Sequence, residues 1–417
     1  MTMTTENNLP PPEPGMALWH HRDFLLLWSG QAISILGTSV STLALPLLVL
    51  ALTHSPTQAG FIAAMQTIPY VLFSLPAGAL VDRWNRKTVM ILCDTARLLA
   101  YGSVPLAYLL GHLFLLHLYL VAFVSGTAFV FFNSAQIAAL PRVVPFALVP
   151  RAAAWNASAK SAATLIGPGL GGFIISLART IVGGTMLAYL LDGISYAVSA
   201  LSLSVIHLPF QEERPAVDQS SLREAIVQGL RFLWSHQRLR MLALLIVCIG
   251  FFSSSGDLAL IVLAQQHLHA DARLIGLIFS IGSVGGLVGS LVAGPITTRV
   301  PFGRILTGTT FAEAFAVGLL AAAISPIMLI LGLAIISLAI PVFGVTQLSY
   351  RLSLIPDTMQ GRLNSVFDLL FFGSQPLGVA VGGLLLGVAG PRIVLASMAL
   401  GLTLAALAVG LTEISKQ

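Results

Sequence analysis

Charged residues are unusually scarce in this chain. Only 9% of its 417 residues are aspartate, glutamate, lysine or arginine, whereas a soluble domain carries about 25%. Cysteine is scarcer still, because Cys93 and Cys248 are the only two, and their separation in sequence argues against a disulfide framework and a cysteine metal site. Hydrophobic residues make up 56% of the chain. The composition therefore predicts an all-α integral membrane protein instead of a soluble domain.

Motifs for several chemistries are missing as well. The sequence has no Walker phosphate-binding loop, no nucleophile elbow and no histidine-rich cluster. The net charge of +5 comes from basic residues that are dispersed between apolar runs, a distribution that concerns the bilayer and not nucleic acid. We therefore expect no enzyme activity, no cofactor, no metal and no nucleic-acid partner.

Apolar runs of about 20 residues, the length that crosses a hydrocarbon core, recur along the chain. Proline, glycine and charged residues divide them into twelve predicted transmembrane helices, at 24–51, 59–81, 88–110, 115–140, 152–177, 183–206, 241–266, 273–298, 304–324, 327–350, 362–388 and 392–412. The polar, proline-rich leader at 1–23 contains too few apolar residues to offset the entropy of ordering, so we expect it to be disordered.

Basic residues are unevenly distributed between the two ends of these helices. If the amino terminus is cytoplasmic, only Arg179, Arg273 and Arg392 fall in outer loops. Nine other basic residues then lie on the cytoplasmic side: Arg83, Arg86, Lys87, Arg142, Arg151, Arg299, Arg304, Arg351 and Arg362. This asymmetry predicts that both termini are cytoplasmic, with the chain in a bacterial inner or plasma membrane.

One connection is much longer than the others and divides the predicted helices six and six. The resulting divisions are the leader at 1–23, a six-helix bundle at 24–206, a cytoplasmic linker at 207–240, a second six-helix bundle at 241–412 and a cytoplasmic tail at 413–417. Within the linker, apolar residues recur at helical spacing behind a capping-box sequence at Ser221: Leu222, Ile226, Leu230 and Leu233. We expect an amphipathic helix against the inner membrane surface or against the bundles.

The two predicted bundles share a sequence repeat at an offset of 211 residues. Six residues of the first bundle, Gln136, Pro145, Arg151, Gly167, Gly171 and Gly172, recur in the second as Gln347, Pro356, Arg362, Gly378, Gly382 and Gly383. A repeat of this kind predicts two pseudo-symmetric six-helix bundles that face each other around a midplane site, the architecture of alternating-access transporters.

Polar side chains interrupt several of the predicted helices. They form a stripe on the first helix and isolated insertions on the fourth and tenth: Gln31, Ser34, Thr38, Asn133, Gln136 and Gln347. Lipid would penalise them, so they face protein or a water-filled cavity. Two interpretations remain open for each, hydrogen bonding between helices and contact with a substrate.

Three segments resemble signatures of one transporter family. The segment GALVDRWNRK at 78–87 resembles the signature loop of the major facilitator superfamily, and GPGLGG at 167–172 looks like its antiporter motif. The segment QLSYRLSLIPDTMQGRLNSV at 347–366 is similar to the branch of that superfamily that contains macrolide-efflux and enterobactin-exporter proteins. The resemblance covers all twelve predicted helices.

The resemblance implies that the first segment is a conformational latch. Asp82 ends the second helix, where the helix dipole disfavours an anion. The family supplies a partner, the amino terminus of the eleventh helix, whose free N–H groups would hold the carboxylate and join the bundles on the inner side. A solvated turn with weak surface ion pairs is the alternative. The candidate latch residues are Gly78, Asp82, Arg83, Arg86, Lys87, Gly361, Arg362 and Asn364.

The antiporter-type motif consists of Gly167, Pro168, Gly171 and Gly172. These residues remove side chains and one backbone donor from the fifth helix, so the helix can bend and a neighbour can approach closely. With the resemblance, the motif is expected to form a seam between the bundles that seals and parts. Ordinary packing of small residues is the alternative.

Charges inside predicted helices are functional candidates by default. Asp257 follows a polar serine run in the seventh helix, which in this family lines the cavity, and it is the first candidate for a proton or cation site. Asp368 ranks second. For Lys160 two interpretations are equally open, a counter-ion to either acid or a side chain that reaches the inner interface.

The other charges in helices have structural explanations. Asp94 and Arg97 are three residues apart on one helix, a spacing typical of a local ion pair. Asp192 and Glu313 lie in the sixth and ninth helices, which the family fold places at the periphery, so structural pairing is expected there.

These features predict a secondary exporter of amphipathic small molecules of drug, macrolide or siderophore type. It would work as a monomer in the bilayer by alternating access and would exchange its substrate for protons. A carrier of lysophospholipid or other lipid with the same fold is the first alternative, and a membrane sensor or scaffold that transports nothing is the second.

Overall fold

The computed structural model describes residues 18–211 and 222–411. Every regular element in these two stretches is a helix, and the α-helices in chain order are α1 (Arg22–Ser41), α2 (Ala44–Thr53), α3 (Pro56–Arg83), α4 (Arg86–Leu109), α5 (Leu115–Val143), α6 (Val149–Ser176), α7 (Ile181–Val205), α8 (Leu222–Ser235), α9 (Gln237–Ser253), α10 (Gly256–Leu268), α11 (Ala272–Arg299), α12 (Phe302–Ala321), α13 (Pro326–Leu354), α14 (Asp357–Ala389) and α15 (Pro391–Gly410).

Side-chain caps explain why tight connections separate such long helices. Four helices begin at a residue whose side chain accepts a hydrogen bond from a backbone N–H of the first turn: Ser55 before α3, Asn85 before α4, Thr180 before α7 and Asp271 before α11. Each cap satisfies one of the four backbone donors that a helix start leaves open. The chain can therefore reverse direction within a few residues.

Ten helical segments of the described chain are long and apolar enough to cross a membrane, counting α1 with α2 and α9 with α10 as one segment each. The remaining two long helices, α3 and α6, have 28 residues each and pack among the ten. The chain is therefore an all-helical, multi-pass membrane protein.

Two of the long segments are broken at matching positions of the repeat. The first segment breaks between Ser41 and Ala44, and the segment at Gln237–Leu268 breaks between Ser253 and Gly256. The sequence predicted continuous helices in both places. Broken helices expose backbone polar groups, which are tolerated at membrane depth only where they are buried in protein or line a cavity. The two breaks therefore indicate where a polar site lies.

The repeat also appears in the packing of glycines. We call α1–α7 the first helix group and α8–α15 the second. Gly167 and Gly171 press α6 against the α1 backbone at Ser39 and Val40. In the second group the matching glycines, Gly378 and Gly382, press α14 against the end of α9 and the residues that follow it. Equivalent residues thus make equivalent contacts, because small side chains allow close helix approach.

Two seams join the helix groups, one between α3 and α14 and one between α6 and α11. In the first seam, a methyl group on Gly60 would lie 2.5 Å from the Cα of Gly383. In the second seam, a methyl group on Gly172 would lie 3.0 Å from the Cα of Gly276. No larger residue fits at these points without moving a backbone. Both seams are therefore closed at this level.

The same seams are less tightly packed toward their other end. We call this end, where α3, α5 and α13 finish with arginines, the basic face, and the closed end the opposite face. Gly78 lies 18 residues after Gly60, and Gly294 lies 18 residues after Gly276, a distance of about five turns that returns to the same helix face. Among the described residues, a methyl group on Gly78 or Gly294 would meet no neighbouring atom within 4 Å. The close approach of the helix groups at Gly60 and Gly276 is therefore not repeated at these two points.

The leader is ordered at its end, contrary to the prediction. Residues Leu18–His20 form a short 3-10 helix with Leu18 buried. Trp19 packs edge-on against Trp155 of α6, with ring centroids 4.3 Å apart. An apolar residue and a tryptophan directly before α1 offset the entropy of ordering. The rest of the predicted leader, residues 1–17, and the predicted tail at 413–417 lie outside the described residues.

A helix occupies the linker, α8 at Leu222–Ser235. Leu233 is buried and Leu230 packs against the core beside it. The Arg362 side chain of α14 donates a hydrogen bond to Gln228 of α8, and Gly229 lies against Val366. The linker helix therefore packs on the basic-face end of α14 and α9.

Candidate transport site between the helix groups

Three adjacent cavities lie between the helices and share lining residues. The first cavity, of about 580 Å³, is lined mainly by the first helix group, and the second, of about 480 Å³, by the second group. A third, of about 530 Å³, lies between them along the seams. Gln375 of α14 lines all three. Each cavity has a volume that suits a small organic molecule.

The predicted polar side chains, both the stripe and the insertions on the fourth helix, line the first cavity. All five of these residues in the first helix group face this space: Gln31, Ser34, Thr38, Asn133 and Gln136. The Gln136 side chain donates a hydrogen bond to Gln31 across α1 and α5. Thr38 is 2.7 Å from the phenol oxygen of Tyr196. Gln31, Gln136 and Thr38 therefore form hydrogen bonds between helices. Contact with a substrate stays a prediction for all five residues, which line the cavity.

Arg97 also lines the first cavity, and its environment corrects the expected local ion pair. Both carboxylate oxygens of Asp94 are buried without a hydrogen-bond partner in the described part of the chain, so no hydrogen-bonded pair forms. The guanidinium carbon lies over three aromatic rings instead, 5.7 Å from Phe129, 5.4 Å from Phe132 and 5.2 Å from Tyr196. Stacking on ring faces stabilises a desolvated guanidinium, while Asp94 and Arg97 still interact electrostatically.

Asp192 lies beside the break between α1 and α2. It is fully buried and accepts hydrogen bonds from Ser41 at the end of α1 and from Ser195 on its own helix, the latter at 3.2 Å. The partners are thus hydroxyl groups and not a cation. These bonds fix the end of α1 against α7, where Gly37 already packs closely on Ser195.

Replacing Ser41 by Ala should lower stability by about 1–3 kcal/mol, because the buried Asp192 carboxyl loses a donor. Thermal unfolding of the purified variant in detergent measures the loss. Ser204→Ala is the matched control, since the Ser204 side chain is exposed and its hydroxyl group bonds only to a carbonyl of its own helix, while the backbone carbonyl that Lys87 contacts is unchanged. Equal melting temperatures for the two variants would contradict the structural role of the bond.

Three acidic side chains line the second cavity, and one of them, Glu313, was predicted to lie elsewhere. Asp257, Glu313 and Asp368 all line it. Glu313 was expected to pair at the periphery, but α12 turns it inward, where its Oε1 accepts a hydrogen bond of 2.6 Å from Ser253. Ser253 ends α9 and Asp257 begins α10, so the helix break itself brings these polar groups together. In the described chain no group of three such side chains is arranged to hold a metal ion.

Arg351 and Gln347 complete the polar lining of the second cavity. Arg351 was predicted to lie on the cytoplasmic side in a loop, but it is buried in the last turn of α13, with its guanidinium carbon 4.6 Å from the Phe367 ring. It interacts electrostatically with Asp368. Gln347 has a buried side-chain oxygen that no described group contacts.

Lys160 reaches the first cavity from α6 and is exposed there. None of the described carboxylates forms an ion pair with it, and the two acids proposed as its partners line a different cavity. The structure therefore does not make Lys160 a direct counter-ion of Asp257 or Asp368. Its ammonium group faces the cavity.

The signature loop is tied to the protein by its basic residues. Arg86 is largely buried, and its Nη1 donates hydrogen bonds to the carbonyls of Ala138, at 2.9 Å, and Phe210, at 3.4 Å. Lys87 donates to the carbonyls of Ser204, at 3.2 Å, and Ile206, at 2.5 Å. Lys87 satisfies carbonyls at the end of α7, where a helix leaves acceptors free, and Arg86 joins α5 to the segment that follows α7. Both residues therefore have a structural role beyond the predicted topology signal. The Arg83 side chain is exposed.

The remaining residues of the candidate latch and the antiporter-type motif lie in different parts of the structure. The side chain of Asp82 and the surroundings of Gly361 lie outside the described part of the chain. Asn364 is partly exposed two turns into α14, which begins at Asp357, earlier than the amino terminus that the sequence predicted near residues 361–364. In the antiporter-type motif, Gly172 and the carbonyl of Pro168 form the seam with α11, while Gly167 and Gly171 pack within the first helix group.

Comparison with known proteins places this architecture in a family. The family profile described as transmembrane secretion effector matches residues 14–417. The multidrug efflux pump Tap of Mycolicibacterium fortuitum is 28% identical over 369 residues, which cover 84% of this chain and 85% of that protein. The enterobactin exporter EntS of Citrobacter koseri is 26% identical over 375 residues, 88% of this chain and 85% of that protein.

Among solved structures, the nucleoside transporter NupG shares the fold. It superposes with a TM-score of 0.75 at 15% sequence identity and covers 93% of this chain and 98% of its own. At this identity the likeness concerns the fold alone. The match of the family profile over almost the whole chain shows that this protein belongs to the transmembrane secretion effector family of the major facilitator superfamily, whose members are transporters and not enzymes.

Proposed function

We propose that the protein is a secondary exporter of amphipathic small molecules that works by alternating access and exchanges its substrate for protons. The observation that carries this proposal is the group of central cavities between the two helix groups, whose glycine seams are pressed together on the opposite face and less tightly packed toward the basic face. A site that one face alone can reach is what alternating access requires. The export activity of the relatives Tap and EntS supports the direction of transport.

The direction follows from the orientation that we propose. Basic residues concentrate on the cytoplasmic side of membrane proteins, so the basic face and both termini would be cytoplasmic, with twelve spans arranged as two bundles in a bacterial cell membrane. The central cavities would then load substrate from the cytoplasm. Their lining is mostly apolar and aromatic, with few charges, which suits molecules that partition into membranes.

Asp257 is the proposed proton carrier. It begins α10 directly after the helix break and lines both the second cavity and the seam cavity. Any movement of α10 against α14 would change the surroundings of this carboxyl group, so its environment depends on the state of the seam. Ionisable groups at membrane depth are characteristic of proton pathways. Asp368, which Arg351 partly neutralises, is the second candidate.

The register of the first seam supports the proposed latch. In antiparallel helices, each step along α3 is matched by a step back along α14. The pairing of Gly60 with Gly383 therefore sets residue 82 level with residue 361. When the seam closes on the basic face, Asp82 would lie within about one turn of the start of α14 at Asp357, where the free N–H groups of residues 357–360 attract an anion. Asp82→Asn should then favour the state that is open on this face.

A lysolipid carrier is the second candidate function. An apolar crevice of about 360 Å³ lies between α9 and α14, lined by residues that include Cys248, Phe252 and Leu369. Such a crevice would hold an acyl chain by burying its apolar surface. A substrate of this kind would approach from the side of the bilayer instead of from water.

Efflux from proteoliposomes under an imposed pH gradient tests the function. The panel contains a cationic dye, a macrolide, a siderophore and a lysolipid. We expect the gradient to drive uptake of the dye or the macrolide against its concentration. Flux that does not depend on the pH gradient would contradict proton exchange. Transport of the lysolipid alone would favour the lipid-carrier function. No flux of any compound would indicate a sensor or scaffold.

A further inference from the structure

The first and second cavities carry charges of opposite sign. Arg97 and Lys160 line the first cavity, and none of its described lining residues is an acid. Asp257, Glu313 and Asp368 line the second cavity, with Arg351 as its single cation. Most of the 417-residue chain lacks charge, so this separation across one central space is a specific feature. It would orient any ligand that carries a dipole.

Neighbouring charges balance part of each set. Arg351 interacts electrostatically with Asp368, which leaves Asp257 and Glu313 as the acids in excess in the second cavity. The Glu313 carboxylate is held by Ser253 through one oxygen, at 2.6 Å, and receives no other hydrogen bond from the described residues. This arrangement fixes the carboxylate in place and leaves acceptor capacity for a donor that enters the cavity.

On the other side, Arg97 interacts electrostatically with both Asp94 and Asp192, which are buried next to it outside the lining. Lys160 has no such partner among the described residues and projects from α6 into the first cavity. A flexible ammonium group with three donors is suited to a carboxylate or another anionic oxygen of a ligand. With Asp257 assigned to the proton, Lys160 and Glu313 are therefore the two charged groups left to meet a ligand.

Uncharged aromatic side chains line the first cavity at the first seam. Tyr70 of α3 and Phe372 of α14 face each other across the first seam with ring centroids 4.2 Å apart, and both line the first cavity. Gln375, one turn along α14 from Phe372, lines both cavities and offers a donor and an acceptor. An aromatic ring system of the ligand would stack on these two rings.

We propose that the central cavity binds a zwitterionic aromatic amphiphile, with its cationic amine at Glu313 and its anionic group at Lys160. The proposal rests on the proposed transport function, because it specifies the ligand of the same cavity. It goes further in that it predicts the polarity and the orientation of the ligand. A ligand that carries only the amine, or only the anionic group, would contact only one of the two charged ends, or poles, of the cavity.

The test uses three forms of one fluorescent quinolone: norfloxacin, which carries a piperazine amine and a ring carboxylate, its methyl ester, which keeps only the amine charge, and its N-acetyl derivative, which keeps only the acid. Equilibrium binding to the protein in lipid nanodiscs is measured without any gradient. We expect norfloxacin to bind about tenfold more tightly than either derivative, which is one lost charge-assisted contact of about 1.4 kcal/mol.

Two variants assign the poles. Glu313→Gln should weaken norfloxacin and the ester about tenfold and leave the N-acetyl form unchanged, whereas Lys160→Met should weaken norfloxacin and the N-acetyl form and leave the ester unchanged. Arg299→Gln is the control, because Arg299 is exposed at the basic-face end of α11, outside the three cavities. It should alter none of the three affinities.

The outcomes separate this proposal from the proposed function. Equal binding of all three quinolone forms to the unmodified protein overturns the two-pole site without any variant, and so does a variant that weakens all three forms alike. The exporter proposal stands or falls separately, on gradient-driven transport of the dye and macrolide panel. If Glu313→Gln does not fold, Glu313→Asp keeps the charge at a shorter reach and should weaken the two amine-bearing forms only.

Discussion

Replacing Asp257 by Asn should reduce pH-gradient-driven transport to the level of protein-free vesicles, while exchange of substrate across the membrane without a gradient continues. Asn keeps the size and the hydrogen-bonding capacity of the side chain but cannot bind and release a proton. Since Asp257 lies where α10 begins and lines both the second cavity and the seam cavity, its loss should uncouple the proton from the substrate without closing the cavity.

The matched control for this prediction is Asp271→Asn. Asp271 caps α11 with a hydrogen bond of 2.8 Å to the N–H of Leu274 and is exposed away from the cavities. Asn is also a good cap, so this variant should stay coupled. Full coupling in Asp257→Asn would contradict the assignment and would move it to Asp368.

Replacing Gly276 by Leu should abolish transport by preventing closure of the opposite face. Even a methyl group at this position would lie 3.0 Å from the Cα of Gly172, so a leucine must force α6 and α11 apart. Overpacking of this kind costs about 1–3 kcal/mol, and a two-state equilibrium shifts about 5- to 150-fold for that free energy. The variant should therefore populate the state that is open on the opposite face.

Gly294→Leu is the matched control on the same helix face. Its surroundings leave room for a side chain in this structure, so the variant should keep the present conformation and resist the other one. Spin-label distances across both ends of the seam distinguish the two variants. If both variants gave the same distances as the unmodified protein, the glycine seams would not be the surfaces that part and close.

The sequence alone could predict the helical membrane fold, its repeat and the family, because apolar runs and small-residue motifs act through local physics. The matching contacts of Gly167 and Gly378 are of this kind. The break after Ser41 has a local cause in Pro46, which cannot donate a hydrogen bond to the carbonyl of Thr42, but the acid that lies beside the break could not be predicted. A bond to Asp192, 151 residues away in sequence, holds the end of α1 there, and such a contact exists only after folding.

The missed site residues share one cause, which is that their role depends on helix rotation. Glu313 lines a cavity only because of the side that α12 turns toward α9. Gln375 gave no signal beyond a single amide before a proline, yet it lines all three cavities. Arg97 followed the local i,i+3 pattern in sequence, but three aromatic rings from other turns and helices compete for it.

Both helix breaks present the same chemical arrangement. Ser41 at the first break donates to the buried Asp192, and Ser253 at the second donates to the largely buried Glu313. In each case a hydroxyl group at the end of a half-helix holds a carboxylate of a neighbouring helix. Such bonds orient an acid without neutralising it. The breaks therefore tie the polar groups of the site to the segments that would move.

The most direct test of alternating access is a pair of distances across the second seam. They are measured with the seam residues unchanged, in a protein whose Cys93 and Cys248 have been replaced. One label pair, at positions 177 and 273, spans the opposite face, and the other, at 151 and 299, spans the basic face. As substrate and protons are added in lipid, the account predicts that one distance shortens as the other lengthens. Distances that change together, or that do not change while transport proceeds, would contradict it.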